Sequence, residues 1–162
     1  MKVLICGANG QLGRELTASA PADVDLATPG REELDLTAGD SVDRIVAEVV
    51  PRLVINAAAY NAVDRAEEER ELARAVNADG VDRLARAAVR TGARLIHVST
   101  DFVFSGDRGR PYRPEERPEP LSVYGESKRA GELAALEATG GEALIVRTSW
   151  LYSRHRENFV RT

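Results

Sequence analysis

Cysteine is almost missing from this chain. Cys6 is the only one in 162 residues, so no internal disulfide can form, which suits a reducing, cytoplasmic setting. No apolar stretch approaches the ~20 residues of a membrane span, so no membrane partner is expected. Met1–Cys6 is too short for the apolar core of a signal peptide, runs straight into glycines, and reads as a buried strand. There is no basic stripe: the formal charge is −4, with the arginines spread among acids, which gives no reason to expect nucleic acid. No His/Cys/carboxylate cluster has metal-ligand spacing, and no repeat recurs at a solenoid period. Lysine is scarcest of all against its alternative: twenty arginines stand beside Lys2 and Lys128 alone. What remains is ordinary for a globular protein, 43% hydrophobic and 30% charged, and 162 residues suffice for one domain with a buried core.

Short apolar runs alternate with amphipathic stretches. Lys2–Cys6, Val24–Ala27, Leu53–Asn56, Arg94–Ser99 and Ala143–Arg147 read as strands. Gln11–Ala20, Ser41–Val50, Ala66–Arg90 and Val123–Thr139 read as helices, with Gly92 placed to stop one before the fourth strand. This βαβα rhythm predicts a doubly wound parallel sheet in a three-layer α/β/α, Rossmann-type domain spanning residues 1–162. Gly106–Ser122 breaks the rhythm: Pro111, Pro114, Pro118 and Pro120 exclude helix and central strand, leaving a long loop of the kind that is usually functional or mobile.

Gly7-Ala8-Asn9-Gly10-Gln11-Leu12-Gly13 follows the first strand and opens the first helix. Gly7 suits a tight turn, Gly10 the approach of backbone to a pyrophosphate, and Gly13 close helix–strand packing. The helix N-terminus supplies free N–H groups to phosphates. The spacing is GxxGxxG rather than GxGxxG, so the signal rests on its strand–turn–helix context; a plain glycine-rich turn is the bland alternative. The second strand ends in Ala27-Thr28-Pro29-Gly30-Arg31, without the acid that would hold the ribose of NAD. Arg31 could instead pair with a 2′-phosphate, which predicts NADPH as cofactor, with NADH still open. Asp35 and Leu36 follow and are placed to face the adenine, or else form a surface turn.

Tyr124 and Lys128 stand at i and i+4 of a predicted helix and share a face. There the lysine ammonium can stabilise a tyrosinate and lower the phenol's pKa, making a proton donor for a carbonyl near neutral pH. Arginine cannot substitute where a compact ammonium is needed.

With these residues come Asn56–Tyr60 followed by Ala62-Val63-Asp64, Val76-Asn77, Ser99-Thr100-Asp101 with Val103-Phe104, Tyr124-Gly125-x-x-Lys128 and Arg147-Thr148-Ser149-Trp150. In this order and over nearly the whole chain they resemble the extended short-chain dehydrogenase/reductases, and among these the family of dTDP-4-dehydrorhamnose reductases, without that family's C-terminal substrate-binding portion. The resemblance implies that Gly10, Gln11 and Leu12 hold a pyrophosphate and that Ala57, Ala58 and Ala59 line the cofactor, with Asn9, Tyr60 and Ser99 also in its site. It implies a reductive triad of Thr100, Tyr124 and Lys128, in which Tyr124 protonates the C4 carbonyl oxygen of a nucleotide-linked 4-keto-6-deoxysugar as hydride arrives from NADPH. Lys128 would hold the nicotinamide ribose and bias Tyr124 towards its anion. Thr100, Asp101, Phe102 and Trp150 would touch the sugar. Related dehydratases resemble Thr-Asp-Glu where this chain has Thr100-Asp101-Phe102; phenylalanine is neither acid nor base, which argues for reduction over elimination. The reductases usually carry Tyr there, so Phe102 leaves the choice of deoxysugar open.

Bland readings compete at several positions. His97 alternates inside Leu95-Ile96-His97-Val98 and reads as a hydrogen-bonded core histidine. The family resemblance gives Asn77 a part in an active-site water chain, against a simple helix-bend role. Trp150 is either a sugar contact or packing at the sheet edge. Asp64–Arg70 reads as a solvated helix start. Two other functions stay open: a non-catalytic dinucleotide-binding regulatory subunit, against which the Tyr124/Lys128 pair speaks, and a sugar-nucleotide epimerase with tightly held NAD. A homodimer is open as well.

Overall fold

The computed structural model describes residues 1–155 and 158–160. Five strands, β1 (Lys2–Cys6), β2 (Asp25–Ala27), β3 (Leu53–Asn56), β4 (Arg94–Thr100) and β5 (Leu144–Thr148), form one sheet in the order β2-β1-β3-β4-β5. Every pairing is parallel, with Leu4 opposite Val54 and Ile55 opposite Ile96. Helices α1 (Gln11–Ala18), α2 (Gly39–Val49), α3 (Arg70–Arg74), α4 (Gly80–Arg90) and α5 (Val123–Ala138) connect them. Element ends fall within one or two residues of expectation, the usual slack of fraying termini.

Alternation along the strands divides the apolar residues between two faces. Leu4, Cys6, Val54 and Leu95 pack with Val42 and Val46 of α2, Val81 and Leu84 of α4, and Ala135 of α5. Val3 and Ile5 point the other way and pack with Leu16 of α1. Helices therefore cover both faces, the doubly wound arrangement that a parallel sheet needs to bury its apolar strands. Ile145 packs with the first cluster, so Leu144 and Val146 point to the α1 face, where both are exposed.

The helix expected over Ala66–Arg90 is not one helix. A 3₁₀ turn at Arg65–Glu67, α3, a π turn at Ala75–Asp79 and α4 follow one another. The extra residue in the π turn lets Asn77 turn inward instead of following the surface stripe. Gly80, the first residue of α4, lies close against Leu36: a Cβ there would stand 2.7 Å from Leu36 Cβ.

The proline-rich segment carries no helix or strand, as expected, but it is tied down. Glu116 accepts from Arg108, Arg110 and the Arg113 backbone N–H, and the Arg110 hydrogen bond above all pulls its carboxyl down to about 2. Tyr112 stacks on Phe104 with ring centroids 4.3 Å apart, and the Arg147 guanidinium covers the Phe104 ring at 4.9 Å.

Candidate active site

The chain reverses its direction of travel across the sheet between β1 and β3, so the loops leaving these two strands part from one another at their carboxyl ends. A crevice opens there in doubly wound sheets. Here it is a cleft of about 680 Å³ whose walls include Gly7, Asn9 and Gly10 after β1, Arg31, Asp35 and Leu36 after β2, and Ala57, Ala58, Ala59 and Tyr60 after β3.

The glycine loop is shaped by contacts on its inner side. Gly7 has φ 79° and packs so tightly on the β3 loop that a Cβ would stand 2.7 Å from Ala58 N. Gly13 is buried against Gly7 O, and a Cβ there would stand 2.6 Å from Ala8 Cα. Gly10 meets only Gly7 O, at 3.1 Å, so its missing side chain leaves the cleft side open. Gly10 is also the N-cap of α1 and makes no side-chain cap bond, so the first-turn N–H groups have no capping side chain. Gln11 and Leu12 begin α1 directly after the loop, and Thr28 directly precedes the wall residue Pro29.

Two asparagines fix the β3 loop. Asn56 Oδ1 accepts from Ala58 N at 3.1 Å, and its amide group then donates to His97 Nδ1 at 3.1 Å. His97 is the buried, hydrogen-bonded core residue expected, and burial pushes its pKa down to about 3. Asn77 Oδ1 accepts from Tyr60 N at 2.8 Å, while its Nδ2 donates to Tyr60 O and to Ser127 Oγ. Ser127 Oγ in turn donates to Tyr124 O. Asn77 thus joins the cleft loop to the helix that carries Tyr124.

Tyr124 and Lys128 lie buried on one face of α5, beside the end of β4. The Thr100 hydroxyl lies near the Tyr124 phenol, and the Phe102 ring meets the Tyr124 ring edge-on at 5.6 Å between centroids. Asp101 Oδ2 accepts from Ser149 at 2.7 Å. Ser99 is buried in β4. Phe102 and Trp150 are exposed, at 46% and 74%, and the Trp150 ring meets Phe159 edge-on at 5.2 Å between centroids.

One expectation is corrected. The Tyr124 phenol is raised above its ordinary value, not lowered: burial dominates and the Asp101 charge adds to it, while the nearby Thr100 hydroxyl opposes them. The Lys128 ammonium is turned to the Val98 carbonyl at 2.7 Å, and its own burial pulls it down to about 8.

The cleft also holds residues that the sequence reading passed over. Arg65 and Glu69 stand on its wall with Leu72 and Val76. Arg65 bridges Glu69, and Glu69 accepts from the Tyr60 hydroxyl at 2.7 Å. The signal was available in the i, i+4 placing of Arg65 and Glu69 just after the β3 loop. Asp35 is occupied internally: it accepts from the Thr37 backbone and hydroxyl, and the backbone bond is the main reason its carboxyl is lowered. Arg31 is only loosely held, 3.9 Å from Asp35 and 79% exposed.

The RmlD substrate binding domain family matches residues 1–162. The dTDP-4-dehydrorhamnose reductase of Sinorhizobium fredii is 45% identical over 161 residues, 99% of this chain and 54% of that protein. The one of Streptomyces griseus is 49% identical over 158 residues, 97% of this chain and 52% of that protein. The crystal structure of dTDP-4-dehydrorhamnose reductase from Bacillus anthracis in complex with NADP superposes with a TM-score of 0.95 at 43% identity, covering 98% of this chain and 57% of that one. The chain spans about half the length of the curated relatives it matches.

Proposed function

The chain belongs to the RmlD substrate binding domain family, and on that premise we propose that residues 1–162 are the NADPH-binding part of a reductase acting on dTDP-4-dehydro-6-deoxy-L-mannose to give dTDP-L-rhamnose. The observation that carries this reading is the junction of two sites: a small-residue cleft at the β1/β3 switch point, joined through Asn77 and Ser127 to the helix bearing Tyr124 and Lys128.

The residues present fit a phosphorylated dinucleotide. Gly10 leaves the loop open to a pyrophosphate, the three alanines keep the opposite wall thin, and Arg31 is exposed and only loosely held where a 2′-phosphate would need a cation. When bound, NADPH supplies the hydride. Thr100 hydrogen-bonds the sugar carbonyl, polarising it. Tyr124, kept protonated by its raised pKa, gives its proton to that oxygen, so that the C4 ketone becomes a secondary alcohol. Lys128, one turn further along α5, is the cation of the reductive site and holds the nicotinamide ribose, and solvent reprotonates the tyrosinate left behind. Asp101, Phe102 and Trp150 contact the sugar.

The test is turnover by the full-length protein that contains this chain. NADPH absorbance falls on addition of the 4-keto sugar nucleotide, and Tyr124→Phe abolishes the fall while leaving NADPH affinity within about twofold, because only the proton is removed. A Tyr124→Phe variant with wild-type rate refutes the assignment of the proton donor.

A further inference from the structure

Tyr124, Lys128 and Glu132 stand at i, i+4 and i+8 and are all buried on α5, and the third has no part in the chemistry above. Glu132 is fully buried, and its carboxylate is held by two cations from different directions. Arg147 of β5 donates Nε to Oε1 and Nη2 to Oε2, both at 2.8 Å, and Arg129 donates to Oε2 at 2.7 Å. Burial works to raise the Glu132 carboxyl, yet these hydrogen bonds prevail and hold it below the ordinary carboxylate range. A charge this deep is costly to keep unless something needs it.

We propose that Glu132 is a positioning residue for Lys128: its buried carboxylate, fixed on Arg147 and Arg129, keeps the lysine ammonium charged beneath Tyr124. The claim rests on the reading of Lys128 as the cation of the reductive site. Among the described residues Lys128 Nζ donates to one partner, the neutral Val98 carbonyl, and burial favours loss of its proton; Glu132 is the charged neighbour that opposes this. The other groups that face it do not supply a negative charge. His97 on β4 is neutral, and Lys128 itself helps to keep it so. Asn77 in the π turn is uncharged, and Asp79 is half exposed and paired with Arg74. Tyr124 is protonated, and Asp101 faces Tyr124 at the far end. Arg147 and Arg129 are cations, and each is paired with Glu132.

The scarcity of lysine makes the test direct. Residues 1–162 hold only Lys2 and Lys128, so ¹³Cε-lysine labelling gives few NMR titrations, and the Lys128 signal is the one lost in Lys128→Arg. In the wild type Lys128 titrates near 8. In Glu132→Gln it titrates lower, by on the order of one pH unit, because the negative charge is gone and two arginines remain. A merely structural role moves the signal the other way: loosened packing rehydrates the lysine and returns it towards about 10.4. A folded Glu132→Gln whose Lys128 value is unchanged or raised overturns the proposal. Where Glu132→Gln does not hold its fold, Arg129→Met decides. Arg129 is partly exposed and Arg147 still holds the carboxylate, so this variant keeps its fold; the carboxylate is less screened and Lys128 titrates higher; no shift in that variant overturns the proposal. Neither cofactor nor substrate enters the measurement, so its failure is separable from a failure of the reductase reading.

Discussion

Gly13→Ala separates two uses of glycine in one loop. Gly13 lies inside α1, where alanine is the better helix former by about 1 kcal/mol, so propensity alone predicts a stabilised variant. The structure predicts the reverse. The added methyl would stand 2.6 Å from Ala8 Cα and press on Gly7 O, which are backbone atoms that cannot swing aside. Gly7 cannot retreat either, because it is already packed on the backbone of Ala57 and Ala58. Overpacking of this kind costs about 3 kcal/mol, leaving a net loss of about 2 kcal/mol. For a domain of this size that lowers the melting temperature by about 4–8 °C. Gly10→Ala is the paired control. Its methyl meets only Gly7 O at 3.1 Å and otherwise projects towards the cleft. Its melting temperature should stay within about 2 °C of wild type, while NADPH affinity falls about tenfold or more. Thermal melts followed by circular dichroism, with NADPH titration of each variant, read both quantities. A Gly13→Ala protein as stable as wild type, or more so, would refute the packing argument.

Other perturbations test other parts of the account. Glu132→Ala leaves the half-buried Arg147 without its carboxylate partner and should cost about 3 kcal/mol in urea unfolding, with part recovered when Arg147→Met is added. His97 has a depressed pKa in the folded protein, about 3 against 6.5, so the unfolded chain takes up its proton first as pH falls. Its contribution to stability is full above pH 6.5 and is lost on the way down to about 3. His97→Asn should flatten the pH dependence of unfolding free energy between pH 6.5 and 4, and an unchanged slope would count against the buried neutral histidine. Asn77→Ala removes hydrogen bonds to Tyr60 and to Ser127 together; NADPH affinity and melting temperature should both fall, and a change in neither would break the proposed link between cleft and α5.

The strands were legible in the sequence because a parallel sheet buries both faces, and near-continuous apolar runs such as Val3–Cys6 and Leu53–Ile55 have few other uses. The glycine loop was legible because its spacing lies between a strand and a helix. The break within Ala66–Arg90 was not, because helical periodicity says nothing about a single extra residue. Its cause is tertiary, the reach of Asn77 to Tyr60 and Ser127 and the contact of Gly80 with Leu36. Arg65 and Glu69 read as solvated because their charges are locally balanced; their place on the cleft wall depends on the path of the β3 loop. The Tyr124 pKa was read in the wrong direction for a similar reason. The i, i+4 spacing shows Lys128 nearby, but only the fold shows that the phenol is buried and that the ammonium is turned to Val98.

The central claim is that the cleft between the β1 and β3 loops takes a 2′-phosphorylated dinucleotide. Fluorescence titration of the protein with NADPH and with NADH, repeated for Arg31→Ala, tests it most directly. NADPH should bind at least about tenfold tighter than NADH, with most of that preference lost in Arg31→Ala, as expected for one charge-assisted contact to phosphate. Equal affinity for the two cofactors, or tighter binding of NADH, would contradict it.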